Sequence, residues 1–349
     1  MNVLLTCAGR RNYLVQYFRE ALAGSGLVLA TDASPDAPAM AEADLAFTVP
    51  KVHDPTYFDV LLEIAATNRV GLLISLNDLE LPYLAREKSR FLSVGTIPVV
   101  SDPRVIDTCF DKDCTAKFLT GIGVDVPKTY LTLEDACAAL SRGEISFPVV
   151  VKPRWGTASI GIEYPQDRRE LEIAYELVHR RLRRTILAEV SATDAEHCVL
   201  IQERLGGQEH GLDIVCDLQG RYVTTFVKRK LSMRAGETDR AETVASPELE
   251  AVGARIASQL KHTGNLDCDA FLSPGGVNVL ELNPRFGGGY PFSHVAGANL
   301  PAALLAWANH ETPNPEWLRV RPGVRSAKCD RLVVSAVAGP AAASTARSR

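Results

Sequence analysis

Between residues 264 and 301 the chain reads GNLDCDAFLSPGGVNVLELNPRFGGGYPFSHVAGANLP. Glu281, Asn283 and Arg285 put a carboxylate, an amide and a guanidinium within five residues, between an apolar run and a triple glycine. Period-two alternation sets Leu266, Cys268, Ala270 and Leu272 on one face of a first strand and Asp267, Asp269 and Phe271 on the other. In a second strand Val277, Val279, Glu281 and Asn283 share a face. A three-residue loop between them, with Pro274 opening a type I turn and Gly276 left-handed, places Asp269 opposite Glu281 and Asp267 opposite Asn283. A four-residue loop would reverse that parity and separate Asp269 from Glu281. Carboxylates facing each other across a ladder repel, so the register is explicable if a cation sits between them. Hard oxygen ligands without His or Cys at ligand spacing point to Mg²⁺, bound partly through substrate phosphates. The same residues also read as a solvent-facing acidic hairpin.

Two further clusters bear on that choice. Residues 147–153, FPVVVKP, form a strand ending in Lys152, and they run into the loop from Arg154 to Ile162. A lysine at a strand end beside free backbone N–H groups suits a polyphosphate, although GxxxxGK[ST] is missing and an ordinary hairpin fits equally. Lys228, Arg229 and Lys230 end another strand, and Arg234 to Arg240 follows as a polar loop whose two arginines suit a phosphate or a carboxylate, or simply solvent. The seven histidines are scattered, with no Ser-His-Asp or Cys-His arrangement.

The elements that must hold these groups are of two kinds. Residues 2–5 and 27–31 are short apolar strands around a helix-period segment, a βαβ unit of the parallel-sheet kind. Only Gly9 is present where a dinucleotide site wants GxGxxG, so an NAD-binding reading is weak. The strand at 71–76 ends in Asn77-Asp78-Leu79-Glu80, where Asp78 and Glu80 either face a substrate at the sheet's carboxyl edge or open the next helix. After Ser101-Asp102-Pro103 the pattern changes to helices, a breaker-rich link at 121–129, and then strands with a 167–184 amphipathic helix among them.

At 349 residues and 46% hydrophobic content the chain can bury a large core in two or three domains. A net charge of −4 gives no sign of a nucleic-acid partner, and the arginines at 180–184 suit a helix C-terminus. Eight cysteines without framework spacing, and no signal peptide, imply reduced thiols in a cytoplasmic protein. No apolar run approaches the roughly 20 residues of a membrane span.

In this order the pieces resemble the ATP-grasp superfamily, and within it the carboxylate–amine ligases akin to carbamoyl-phosphate synthase large-subunit modules and pyrrolysine-biosynthesis-type ligases. ELNPRFGGG followed by SHVAGANLP carries the most specific likeness. The resemblance implies an ATP-grasp fold, α/β and α+β, behind a Rossmann-like parallel-sheet domain at 1–102. It implies a central region at 103–205 with a mobile lid at about 127–200, a catalytic subdomain at 206–325, and an extension at 326–349 whose end is expected to be disordered.

Position by position, it implies that Lys112, Lys152 and Lys230 contact ATP and that Gly156, Ser159 and Gly161 belong to the phosphate-covering loop. Gln202, Glu203 and Leu205 would hold adenine and Glu209 the ribose. Asp269, Glu281 and Asn283 would hold Mg²⁺ or Mn²⁺, with Asp267 the other candidate for the first ligand, and Arg285 and Lys152 would offset charge on the transferring phosphoryl group. Arg240 is assigned a catalytic role and, with Glu80, Arg234, Asp239 and Gly288, contact with substrate. The implied reaction joins a small-molecule carboxylate, an amino acid among the candidates, to an amine through an acyl phosphate. The alternatives are a phosphotransferase or carboxylase on another acceptor and a non-catalytic ATP-binding module. A homodimer is the family expectation.

Overall fold

Apolar runs too short to span more than one layer make the first sheet. In the computed structural model, which describes residues 1–156 and 160–334, the chain opens with β1 (Asn2–Thr6), α1 (Asn12–Leu22), β2 (Val28–Asp32), α2 (Pro38–Glu42) and β3 (Leu45–Thr48). It continues with α3 (Tyr57–Thr67), β4 (Val70–Ser75), α4 (Leu81–Ser93) and β5 (Ile97–Pro98). The five strands are parallel in the order β3-β2-β1-β4-β5. Both faces are covered, as a parallel sheet requires. Leu4, Leu29 and Leu73 enter one core with Tyr57, Leu61 and Phe91, while Val3, Leu5, Ala30 and Ile74 enter another. That second core also takes Phe286, Tyr290, Leu300 and Leu304, so the end of the chain packs back onto its beginning.

Next come α5 (Pro103–Phe110), α6 (Lys112–Gly121), β6 (Thr129–Tyr130), α7 (Leu133–Ser141), β7 (Val149–Pro153), α8 (Arg168–Leu182), α9 (Ala188–Ser191) and β8 (Val199–Glu203). Asp111 and Asp167 start α6 and α8 by accepting from the backbone N–H of Asp113 and of Glu170. Strands β6, β8 and β7 form a small antiparallel sheet in that order. The remaining elements are β9 (Gln208–Cys216), β10 (Tyr222–Arg234), β11 (Glu237–Thr243), α10 (Pro247–Leu260), β12 (Gly264–Ser273), β13 (Gly276–Asn283), α11 (Tyr290–Val295), α12 (Leu300–Ala308) and β14 (Arg325–Ala327). The large sheet runs β13-β12-β9-β10-β11-β14. Its period-two alternation separates two faces: Leu212, Ile214, Val227, Leu266, Cys268 and Ala270 pack under Leu249, Ile256 and Leu260 of α10, and the charged residues of the same strands point the other way.

The β12–β13 hairpin pairs Asp269 with Glu281 and Asp267 with Asn283. The register is the expected one, but the loop that sets it is not. Ser273 pairs with Gly276, leaving Pro274 and Gly275 as a two-residue turn, and the ladder then slips by one residue between Asp269 and Ala270. Leu280 is the extra residue, a β-bulge. Consequently Val277 and Val279 do not share a face with Glu281 and Asn283. The valines and Leu282 enter the core beneath α10, whereas Glu281 is beside Lys112 on the other side.

Two other expectations change. Lys228, Arg229 and Lys230 do not end a strand but lie in the middle of β10, and the stretch from Arg234 to Arg240 is not a loop. It is a hairpin that turns at Ala235 and Gly236, both with positive φ, and its arms pair Arg234 with Glu237. Ser159 and the tail from Gly339 lie outside the described residues.

Candidate functional site

The charged face of the large sheet is stitched by ion pairs between strands. Lys230 on β10 lies 2.6 Å from Asp269 on β12 and 2.7 Å from Glu209 on β9. Between them Gly211 leaves room: a Cβ there would sit 3.1 Å from Lys228 Cε and 3.5 Å from Lys230 Cε. Lys228 is fully buried 2.6 Å from Asp213, which also accepts from Ser293 Oγ at 2.5 Å. Beyond the hairpin, Arg285 reaches back to Asp267 at 3.3 Å and across to Asp78 at 2.6 Å, in the loop that leaves β4 of the parallel sheet. The Asp267 carboxylate lies against Gly287, where a Cβ would come within 2.1 Å of it.

Two lysines approach from the other side. Lys112, at the start of α6, donates to the Gly156 carbonyl at 3.0 Å and lies 3.9 Å from Glu281. Lys152, at the end of β7, is 4% exposed. Burial, reinforced by Lys112, brings its ammonium down to about 8, while Glu281 and Asp269 pull it back up. Burial pushes Asp269 up to about 7 against the pull of Lys230. Burial also pushes Glu281 up, but Lys112, Lys152 and Lys230 outweigh it and hold this carboxyl below its ordinary value.

Asp269, Glu281 and Asn283 offer oxygen donors on one face, with Asn283 Nδ2 3.4 Å from Glu281 Oε1. That donor set fits a hard divalent cation such as Mg²⁺ or Mn²⁺. Among the described residues no three His, Cys, Asp or Glu side chains converge as a metal cluster, so a cation here would draw on the amide of Asn283 and on ligands of its own.

The residues expected to hold the adenine are on β8 and just after it. Gln202 is buried on β8 and donates to Thr129 Oγ1 at 2.8 Å, Glu203 accepts the Lys128 N–H at 3.2 Å, and Leu205 follows, half-buried. Gly161, with φ of +70°, lies beyond the undescribed residues of the covering loop, and Gly156 precedes them. Arg154 is anchored by Asp111 at 2.7 Å and Asp194 at 3.0 Å.

Four expected substrate residues lie elsewhere. Glu80 is fully buried in the N-terminal sheet, where Thr6, Ser75 and Tyr57 hydroxyls donate to its carboxylate at 2.7, 2.6 and 2.8 Å. It has no surface left to offer a substrate. Arg240 is exposed on the outer hairpin and donates to Ser232 Oγ at 2.9 Å, so it is not placed for catalysis. Arg234 is spent on Asp239 at 3.0 Å and Asp330 at 2.7 Å, which also removes Asp239 from the site. The register of this hairpin slips at Ser232 and Met233.

A cavity of about 100 Å³ instead opens between the hairpins, bounded by Arg11, Lys228, Lys230, Glu237, Thr238, Asp269, Arg285 and Gly288. Gly288, expected to contact substrate, lines this cavity. Arg11, Lys228 and Glu237 were missed. The signal for Lys228 was a charge inside an apolar strand; Arg11, in the turn after β1, offered none.

Residues 3–100 match the family model "PylC-like, N-terminal domain", and residues 195–331 match "ATP-grasp in the biosynthetic pathway with Ter operon". Over 220 residues, 58% of this chain and 19% of the relative, the sequence is 24% identical to the carbamoyl phosphate synthase large chain of Mesorhizobium japonicum. The chain thus spans about a fifth of that relative's length. The biotin carboxylase domain of Hydrogenobacter thermophilus 2-oxoglutarate carboxylase, solved with MgADP, ADP and bicarbonate, superposes with a TM-score of 0.71 at 15% identity, over 93% of this chain and 73% of that one. The L-amino acid ligase of Bacillus licheniformis superposes with a TM-score of 0.68 at 20% identity, over 92% and 78%.

Proposed function

We propose, from the premise that the chain is an ATP-grasp protein with a PylC-like N-terminal domain, that it is an ATP-dependent carboxylate–amine ligase. One observation carries this reading: Lys112, Lys152, Lys230 and Arg285 converge from four elements on the Asp269–Glu281–Asn283 face. Buried cations around an oxygen-donor face match the needs of phosphoryl transfer, in which the protein supplies positioning and charge. Mg²⁺–ATP, when bound, would supply the phosphoryl group and a divalent charge to offset that on its oxygens.

The chain's own residues do the rest. Asp269, Glu281 and Asn283 hold the metal, and Lys112 and Lys152 take the phosphate oxygens. Gln202, Glu203 and Leu205 flank the adenine and Glu209 the ribose. Arg285, fixed by two aspartates, meets the moving group. The acceptor carboxylate gains the phosphoryl and ADP leaves; an amine then attacks the acyl carbon, and phosphate and a proton depart. A side-chain nucleophile is not needed. The chain is further read as a cytoplasmic homodimer with divisions near residues 102, 205 and 325; among the described residues no helix is long and apolar enough to cross a membrane.

The test is coupled ADP release across a panel of amino acids and other carboxylates, with hydroxylamine as a universal amine. Hydroxamate should form together with ADP, and Glu281→Gln should abolish both while leaving the far-UV spectrum and Tm nearly unchanged. ADP release that depends on bicarbonate and yields no hydroxamate would make the chain a carboxylase. Wild-type turnover in Glu281→Gln would refute the metal assignment.

A further inference from the structure

The cavity between the hairpins is lined by two polar groups that the ligase reading leaves unused, Arg11 and Glu237, and the Tyr13 hydroxyl is buried near both. Arg11 and Arg285 both donate to the carbonyl oxygen of Phe286, so two guanidinium groups meet at one acceptor. Arg285 is neutralised there by Asp78 and Asp267. Arg11 makes no ion pair within 4 Å among the described residues and acts electrostatically on Glu237, whose carboxyl burial pushes up but Lys328, Arg11 and Arg285 hold below its ordinary value. The Tyr13 hydroxyl, two residues further on in α1, is buried, has no hydrogen-bond partner among the described residues and lies within electrostatic reach of Arg11, Glu237 and Arg285. A buried hydroxyl with nothing to bond is costly unless a ligand completes it. Across the cavity, at the tip of the β10–β11 hairpin, Glu237 accepts from Lys328 Nζ through Oε2 at 2.8 Å, and among the described residues its Oε1 accepts no hydrogen bond. A Cβ on Gly288 would come within 3.0 Å of that carboxyl group, so the glycine keeps the acid over the loop.

We propose that Arg11, Tyr13 and Glu237 form a subsite for an α-amino acid, its carboxylate held by the Arg11 guanidinium and the Tyr13 hydroxyl and its ammonium by Oε1 of Glu237. A cation and a donor on one wall and an acid on the other match the charge layout of a zwitterion. The carboxylate then lies beside Arg285, on the side of the cavity where activation would take place. This rests on the ligase reading and names its substrate class.

The experiment titrates the full chain with each of the twenty proteinogenic L-amino acids by calorimetry, with and without Mg²⁺ and a non-hydrolysable ATP analogue. Every amino acid that binds is compared with its α-carboxamide and with the α-hydroxy acid of the same side chain. At least one amino acid should bind, and both derivatives should bind about 10-fold or more weakly. Arg11→Ala should weaken the amino acid about 10- to 100-fold and Tyr13→Phe several-fold, with the nucleotide analogue bound as before. Arg11→Lys keeps the charge without the planar fork and should also bind more weakly, which separates recognition from loss of fold. Amino-acid affinity indifferent to Arg11, a hydroxy acid that binds as well as the amino acid, or no binding by any amino acid to a chain that takes the nucleotide would each overturn the subsite. Loss of nucleotide binding alone would instead sink the ligase reading, and the titrations without nucleotide report that separately.

Discussion

His262 shows what burial does to a single group. It is fully buried at the end of α10, with Nε2 3.0 Å from the Ile214 carbonyl and Nδ1 3.7 Å from Cys216 Sγ. Burial takes its imidazole down from 6.5 to about 4. Between those values the unfolded chain binds a proton that the folded chain refuses, so stability falls as pH drops from about 6.5 towards 4, by about 3 kcal/mol. Urea titrations at pH 7 and pH 4.5 should show that slope, and His262→Gln should flatten it. Lys152 works in the opposite window. Its folded value of about 8 lies below the ordinary 10.5, so the folded state carries the whole cost of a buried cation below pH 8, and the cost vanishes as pH rises to 10.5. Lys152→Met should therefore unfold at higher denaturant than wild type at pH 7, by up to about 3 kcal/mol, with the gap closing by pH 10.5 and turnover lost throughout. No gain at pH 7 would mean that the lysine is not desolvated.

At the scale of elements, the β12–β13 hairpin settles what could be read in advance. The facing of Asp269 and Glu281 was legible because acids alternating with apolar residues leave few registers open. The bulge was not, because an extra residue at Leu280 has no local signature; only the need to bury Val279 and Leu282 together, while keeping Glu281 out, shows it. The β10–β11 hairpin was misread for a related reason. Its arms are so polar that strand and loop have the same composition, and only the pairing of Arg234 with Glu237 distinguishes them. Glu80 was misjudged because its three hydroxyl partners come from Thr6, Tyr57 and Ser75, far apart in sequence.

The bulge makes a deletion experiment informative. Without Leu280 the ladder becomes regular, and Val279, Glu281, Leu282 and Asn283 keep their present partners. The shortened chain should fold, with Tm within roughly 8 °C of wild type, but without the local twist that aims Glu281 it should lose much of its nucleotide affinity. Deleting Leu282 instead drives Asn283 towards the core and should abolish cooperative unfolding. If the first deletion unfolds the chain as thoroughly as the second, the bulge is not the parity device described above.

In the whole molecule, the site belongs to no single sheet. Arg285 follows the last strand of the hairpin, and its shortest ion pair is with Asp78, a residue 207 positions earlier at the end of β4. Asp78→Asn leaves Arg285 with Asp267 as its ionised partner, and removing one of two buried acids should cost about 1–3 kcal/mol in urea unfolding. Turnover should fall further than stability, because the guanidinium loses its orientation as well as its neutralisation. A variant with wild-type rates would show that Asp267 suffices.

The same ion pair limits how the chain could exchange parts with its relatives. A graft that replaced residues 1–100 with another parallel-sheet unit would inherit strand order and packing, but Arg285 would then depend on whatever the donor carried after its fourth strand. Among donors that keep the shared apolar core, one with an acid at that loop should be accepted where a closer sequence without one is refused.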